Sequence, residues 1–208
     1  MSKRGGRLVV VSAPSGAGKT TLVRGLIARD ERFVFSVSYT TRPQRPNERD
    51  GIDYHFVSQD EFMRLRDSGA FLEYAEVFDN FYATGREAVA TELRRGRHVI
   101  VEIDWQGAQQ VRRQMPMCRS IFIVPPSIAA LRERLTRRQT DSEQIIERRL
   151  KDSLSDLSHW TEFDYIVVND QLTKALDELA GIASGVMRRN RVGTDRVDRI
   201  MQSILSSR

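Results

Sequence analysis

A single cysteine, Cys118, stands in a chain of 208 residues. No intrachain disulfide can form, and a cysteine-built zinc site is excluded. Histidine is nearly as scarce: His55, His98 and His159 are far apart and lack metal-ligand spacing. A metal held by His and Cys is not expected, and a hard ion held by oxygen atoms remains compatible with the chain. Long hydrophobic runs are missing too. The stretch Leu8–Val11 is too short for a membrane span or a signal-peptide core, so the basic Ser2-Lys3-Arg4 is not read as an export signal. A cytoplasmic location away from membranes is therefore expected. Lysine is rare: of 33 Lys and Arg, only Lys3, Lys19, Lys151 and Lys174 are lysines. Repeats and low-complexity tracts are absent.

What is present suits one ordinary domain with a mobile insertion: 40% apolar and 29% charged residues can bury a core. The net charge of +5 favours phosphate-bearing partners, whether nucleotides or nucleic acid. Apolar β-branched runs at 7–12, 33–38, 98–104, 120–124 and 165–168 predict buried strands. Helices are predicted from Lys19, at 59–68, 85–95, 127–138, 142–159 and 171–188, with a basic helical tail over 186–208. Short strands are expected in 71–84 and a loop over 39–50, which holds Pro43 and Pro46. Strands alternate with helices, which predicts an α/β fold with a parallel sheet covered on both faces.

The segment Ala13-Pro14-Ser15-Gly16-Ala17-Gly18-Lys19-Thr20 follows the first strand and opens the first helix. It matches the phosphate-loop pattern with Ala13 in place of the first glycine, where only a compact residue is needed. Small residues let backbone N–H groups curl round a polyphosphate, and the helix N-terminus adds positive potential. Lys19 can reach β- and γ-phosphates, and the Thr20 hydroxyl can ligate Mg²⁺. The strand 98–104 ends in Glu102 and Asp104, whose side chains leave one face if the strand persists. They could hold Mg²⁺ through water or meet an acceptor; capping the next turn or pairing with an arginine is the plainer alternative.

Taken with this loop, Ser36-Val-Ser-Tyr-Thr-Thr-Arg-Pro-Gln-Arg45, Gly51-Ile-Asp-Tyr-His-Phe56, Phe71-Leu-Glu-Tyr-Ala75, Ile103-Asp-Trp-Gln-Gly107 and Val168-Asn-Asp170 resemble the guanylate kinase family over about residues 6–185. The resemblance implies a phosphate-loop NTPase-type core (about 6–36, 98–130 and 150–185), a GMP-binding lobe (about 37–97) and a mobile lid (about 131–149). It leaves 186–208 as a C-terminal extension. It implies ATP-dependent phosphorylation of GMP, and of dGMP, with Mg²⁺. By the same resemblance Arg42, Arg45, Tyr54 and Tyr82 meet the GMP phosphate, and Ser38, Glu73, Thr84 and Asp104 the guanine end. Ala13 to Thr20, Arg134 and Arg138 hold ATP, with Asn169 near adenine. Lys19, Arg42, Arg138 and Arg149 stabilise the transferring group, and Thr20 and Glu102 serve the metal.

Chemistry supports several of these assignments independently. Forked guanidinium groups bind a dianionic phosphate through two oxygens at once. Guanine presents N1–H and N2–H₂ side by side, so one carboxylate such as Glu73 accepts both, whereas adenine would leave it unpaired. Some positions depart from the family pattern: Thr84 for serine, Ala83 for glycine, Glu102 for aspartate, and Gln139 for a lid glycine. Two rival readings remain at this stage, a catalytically inactive binding module of the same fold and a kinase for another nucleoside monophosphate. The intact Lys19-Thr20 pair opposes the first, and the Ser38/Glu73 pair opposes the second. Nucleic acid is not expected as a partner, because Arg188-Arg189-Asn190-Arg191 reads as a solvated helix. A homo-oligomer is compatible with the sequence.

Overall fold

The first β-branched run forms β1 (Leu8–Ser12), buried at every residue, as an apolar strand in a sheet covered on both faces must be. The computed structural model describes residues 5–77, 79–136 and 143–207. In chain order there follow α1 (Lys19–Arg29), β2 (Phe33–Phe35), β3 (Ser38–Thr40), β4 (His55–Phe56), α2 (Gln59–Asp67), β5 (Phe71–Val77) and β6 (Asn80–Gly85). Next come α3 (Arg86–Arg94), β7 (His98–Glu102), α4 (Trp105–Gln114), β8 (Arg119–Val124), α5 (Ile128–Thr136) and α6 (Glu143–Leu157). A 3₁₀ turn (Ser158–Glu162), β9 (Tyr165–Val168), α7 (Leu172–Ser184) and α8 (Asp195–Ser206) complete the described elements. The main sheet has the order β2-β7-β1-β8-β9, and its β2–β7 and β8–β9 pairs are parallel. The chain forms two compact units that divide within β1. One holds residues up to Val10 and Glu31–Cys118, the other Val11–Asp30 and residues from Arg119 on.

In the first unit, β2 pairs with β7, and a second sheet has the order β4-β3-β6-β5. The predicted single strand 33–38 is in fact two: it breaks after Phe35, where Ser36 N–H donates to Ile100 O at 3.0 Å, and resumes as β3 in the other sheet. Alternating hydrophobicity carries no mark of a change of sheet. Helix α2 starts at Ser58, whose Oγ accepts from Glu61 N–H at 3.2 Å. Its Phe62 is fully buried and packs with Phe71 and Ala83 under Tyr39, Leu65 and Phe81. Helix α4 has no counterpart among the predicted elements. Its buried residues are Gly107, Ala108 and Val111, among glutamines and arginines, so no apolar stripe announces it. The strand before it stops at Glu102 rather than Asp104, because the Asp104 carboxylate caps α4.

The second unit carries α1, β8, α5, α6, β9, α7 and α8. Helix α7 ends at Ser184 instead of 188, since Gly185 takes φ +87° and closes the last turn. The tail is helical only from Asp195. Before that, Ile166 N–H donates to Asn190 O and Val192 N–H to Asp164 O, so residues 190–192 run beside β9. The stretch Arg188–Arg191 is therefore not a helix: Asn190 and Arg191 border β9, while Arg188 and Arg189 are exposed. Val197, Met201 and Ile204 of α8 are buried.

Candidate active-site residues

The second unit builds the phosphate loop. Between β1 and α1 the backbone turns through Ala13–Gly18, with Ala17 N–H donating to Pro14 O at 3.2 Å. Gly18 has φ +90°, a conformation side chains resist, and a Cβ there would lie 2.3 Å from Asn169 Nδ2. Asn169 is buried, and its Nδ2 donates to Ala17 O at 2.7 Å. Its own carbonyl accepts from Arg134 Nη2 at 2.7 Å, and Ser153 Oγ donates to Ser15 O at 3.2 Å. Asn169, linked to adenine by resemblance, thus has its amide engaged in holding the loop. Helix α1 begins at Lys19 with no side-chain cap and no acid in its first turn, so its N-terminal end presents positive potential that suits an anion. Arg134 Nη1 is buried without a hydrogen-bond partner among the described residues. A buried donor in that state is costly until an acceptor arrives.

Helices α5 and α6 carry Arg134 and Arg149, and an Arg132–Glu147 ion pair joins them. Arg149 is half-buried. Arg138 and Gln139 lie outside the described residues.

The first unit gathers the acceptor candidates into two groups. Cross-strand pairing aligns Ser38, Thr84 and Glu73 in one row over β3, β6 and β5, and all three are buried. The Thr84 hydroxyl donates to Glu73 Oε1 at 2.6 Å. A bulge between Phe71 and Glu73 makes this possible. Phe71 pairs with Gly85 and packs on Phe62, whereas Glu73 pairs with Thr84 on the other face. Without the extra residue, Glu73 would share the apolar face of Phe71. Asp104 lies at the start of α4, its Oδ1 accepting from Gly107 N–H at 2.8 Å. Gly107 in turn faces Glu73: a Cβ there would be 2.6 Å from Glu73 Oε2.

The second group surrounds Arg42. Its Nη2 donates to both oxygens of Glu48, at 2.7 and 3.0 Å, and its Nη1 to Pro43 O at 2.7 Å. The guanidinium carbon lies 5.5 Å from the Tyr54 ring centre, and the Tyr54 and Tyr82 rings meet edge-on at 6.1 Å. Arg45 is exposed, but its N–H donates to Glu48 Oε2 at 2.9 Å. The Glu48 carboxyl is held below its ordinary pKa, chiefly by the Arg42 hydrogen bond and then by the Arg45 N–H. The Arg42 guanidinium is raised, chiefly by Glu48, with a smaller contribution from Tyr82. Burial, then Tyr82 and Glu102, raise Tyr54, so it remains a hydroxyl donor at neutral pH. Glu48, Gln110 and Gln114 border these groups without having been singled out from the sequence, and Gly107 entered only as the last residue of the Ile103–Gly107 motif, with no role. The placement of Glu48 three residues after Arg45, in a loop holding Pro43 and Pro46, was a local signal for it.

A phosphate loop between a buried strand and a helix of a parallel, helix-flanked sheet defines an α/β protein of the phosphate-loop NTPase class. The family model described as guanylate kinase matches residues 5–184. A guanylate kinase of Alkalilimnicola ehrlichii is 54% identical over 177 residues, 85% of this chain and 87% of the relative. One of Hahella chejuensis is 47% identical over 202 residues, 97% of each chain. The crystal structure of the guanylate kinase from Anaplasma phagocytophilum superposes with a TM-score of 0.74 at 34% identity, covering 95% of both chains. The chain belongs to the guanylate kinase family. It is accordingly a nucleotide-binding kinase, a transferase, and neither the inactive-module reading nor the other monophosphate kinase gains support from these relatives.

Proposed function

We propose that the chain transfers the γ-phosphoryl group of ATP to GMP, giving ADP and GDP, and treats dGMP alike. The observation that carries this reading is the buried Glu73, its Oε1 fixed by Thr84 in a polar row with Ser38. A carboxylate so placed accepts the paired N1–H and N2–H₂ of guanine, with Asp104 at the same end of the base. Arg42, Arg45, Tyr54 and Tyr82 hold the acceptor phosphate, Arg42 being set beforehand by Glu48. The loop from Ala13 to Thr20 cradles the ATP phosphates. Arg134 and Arg138 bind ATP, and Asn169 supports the loop beside adenine.

Transfer is direct and in line, with no covalent enzyme intermediate. Such chemistry needs mainly positioning and charge stabilisation, which Lys19, Arg42, Arg138 and Arg149 supply. The lid at about 131–149 closes to exclude water, which would otherwise hydrolyse ATP. Among the described residues no cluster of three or more His, Cys, Asp or Glu could hold a metal. The oxygen donors at hand, the Thr20 hydroxyl and the Glu102 carboxylate, suit Mg²⁺ arriving with ATP, which keeps mostly phosphate and water ligands. The Thr20 hydroxyl, and Glu102 through water, would hold it, and the ion would neutralise charge on the polyphosphate. No described helix is long and apolar enough to cross a membrane, and we place the reaction in the cytoplasm.

Coupled ADP-release assays with GMP, AMP, CMP and UMP test the reading. GMP should be preferred by about a hundredfold or more in kcat/KM; comparable rates with AMP would refute it. Lys19→Met should lower kcat by at least about a hundredfold with an unchanged unfolding midpoint. Near-normal turnover would remove Lys19 from the mechanism.

A further inference from the structure

Gly107 lies against both guanine-end acids: its N–H donates to Asp104 Oδ1 at 2.8 Å, and its Cα faces Glu73 Oε2. Helix α4 cannot easily retreat from that contact. Gln114 Nε2 donates to Leu72 O at 2.8 Å, Gln110 Nε2 donates to Tyr74 O at 2.7 Å, and Gln110 Oε1 accepts from Tyr74 N–H at 3.2 Å. These bonds fix α4 to β5 on either side of Glu73. The other carboxylate oxygen is bound by Thr84 at 2.6 Å. A methyl group at position 107 would stand 2.6 Å from Oε2 and 3.3 Å from Ile103 Cβ. With helix and strand tied together, the side chain of Glu73 is what must move.

We propose that Gly107 is a positioning residue for purine selection: the missing Cβ fixes where the Glu73 carboxylate sits relative to Asp104, and so which base edge the pair accepts. The inference rests on the reading that Glu73 receives guanine. Gly107 itself touches no substrate and acts only through the two acids. A glycine in the first turn of a helix is otherwise unfavourable, since alanine is the better helix former. Gly107 carries no positive φ, so the carboxylate beside it, and not its backbone conformation, gives the reason for a glycine here.

The test compares Gly107→Ala, Glu73→Gln, Glu73→Asp and the double variant G107A/E73D, measuring kcat and KM for GMP, IMP and ATP together with the unfolding midpoint. Gly107→Ala should raise KM for GMP about tenfold and shrink the preference for GMP over IMP, which lacks the 2-amino group. KM for ATP should stay within about twofold, kcat should fall by less than about threefold, and the midpoint should hold or rise. In the Glu73→Asp background, where the shorter side chain makes room for the methyl, adding G107A should cost little more, a non-additive cycle. If Glu73→Gln raises KM for GMP while Gly107→Ala leaves KM and the IMP preference unchanged, the positioning role is overturned. If Glu73→Gln changes neither, the guanine reading of Glu73 fails instead, and the inference with it. Should Gly107→Ala fail to fold while G107A/E73D folds, the steric coupling is supported. If neither folds, Gly107 serves the backbone and the inference falls.

Discussion

The Arg42–Glu48 pair shows how one residue can be prepared for a ligand it has not yet met. Five side-chain donors are available on a guanidinium, and in this structure Glu48 and Pro43 O occupy part of that fork while Tyr54 stacks beneath it. The arginine is thus ordered ahead of the acceptor phosphate proposed for it, which would reduce the entropy lost on binding. The lowered Glu48 pKa has a stability consequence of definite sign. Its ordinary value is 4.5; as pH falls past it, the unfolded chain takes up the proton before the folded chain does. Stability from this pair is fully present above the ordinary value and is lost as pH falls through the lower folded value. Unfolding free energy measured from pH 6 down to 3 should therefore drop less steeply for Glu48→Gln than for the wild type. Parallel slopes would show that the pair does not contribute.

Among the elements, α4 and the β5 bulge govern the acceptor row, and both escaped sequence reasoning. Phe71 and Tyr74 stand three apart and yet share a face, because the bulge interrupts the period of two between them. Strand β5 is the last in its sheet order, and its outer backbone groups at Leu72 and Tyr74 bond to Gln114 and Gln110 instead of to another strand. Glutamines on a helix usually read as solvent-facing, so this job left no pattern to find. Gln110→Leu removes both bonds to Tyr74 and should cost about 1–2 kcal/mol. Faster hydrogen exchange at the Tyr74 amide would accompany it, and unchanged protection there would contradict the bracing role. Helix α2 was legible to within a residue because its cap, Ser58, and its stop, Gly69 with φ +73°, are local signals.

For the molecule as a whole, the C-terminal extension completes the second unit. Residues 190–192 run along β9, the last strand of the main sheet, and α8 buries Val197, Met201 and Ile204. Ile128 N–H donates to Ser207 Oγ at 3.3 Å, tying the end of the tail to the start of α5. Met201 is 1% exposed, so Met201→Ala should destabilise the protein by about 2–4 kcal/mol while leaving KM for ATP and GMP unchanged. A loss of nucleotide affinity without loss of stability in denaturant titration would assign the tail a different role.

The sequence by itself determined the phosphate loop, the strand and helix on either side of it, the alternation that makes a parallel α/β sheet, and the residue types offered to a phosphate and a purine. These are local properties, set by spacing along the chain and by the steric demands of glycine, proline and β-branched residues. Only the tertiary structure decided that Glu73 turns to the polar face, that Thr84 donates to it, that Gly107 stands against it and that Glu48 orders Arg42. The Glu73 relations follow from strand register, one inserted residue and contacts between segments far apart in the chain, and the Arg42–Glu48 pair from the path of a loop; no periodicity records either.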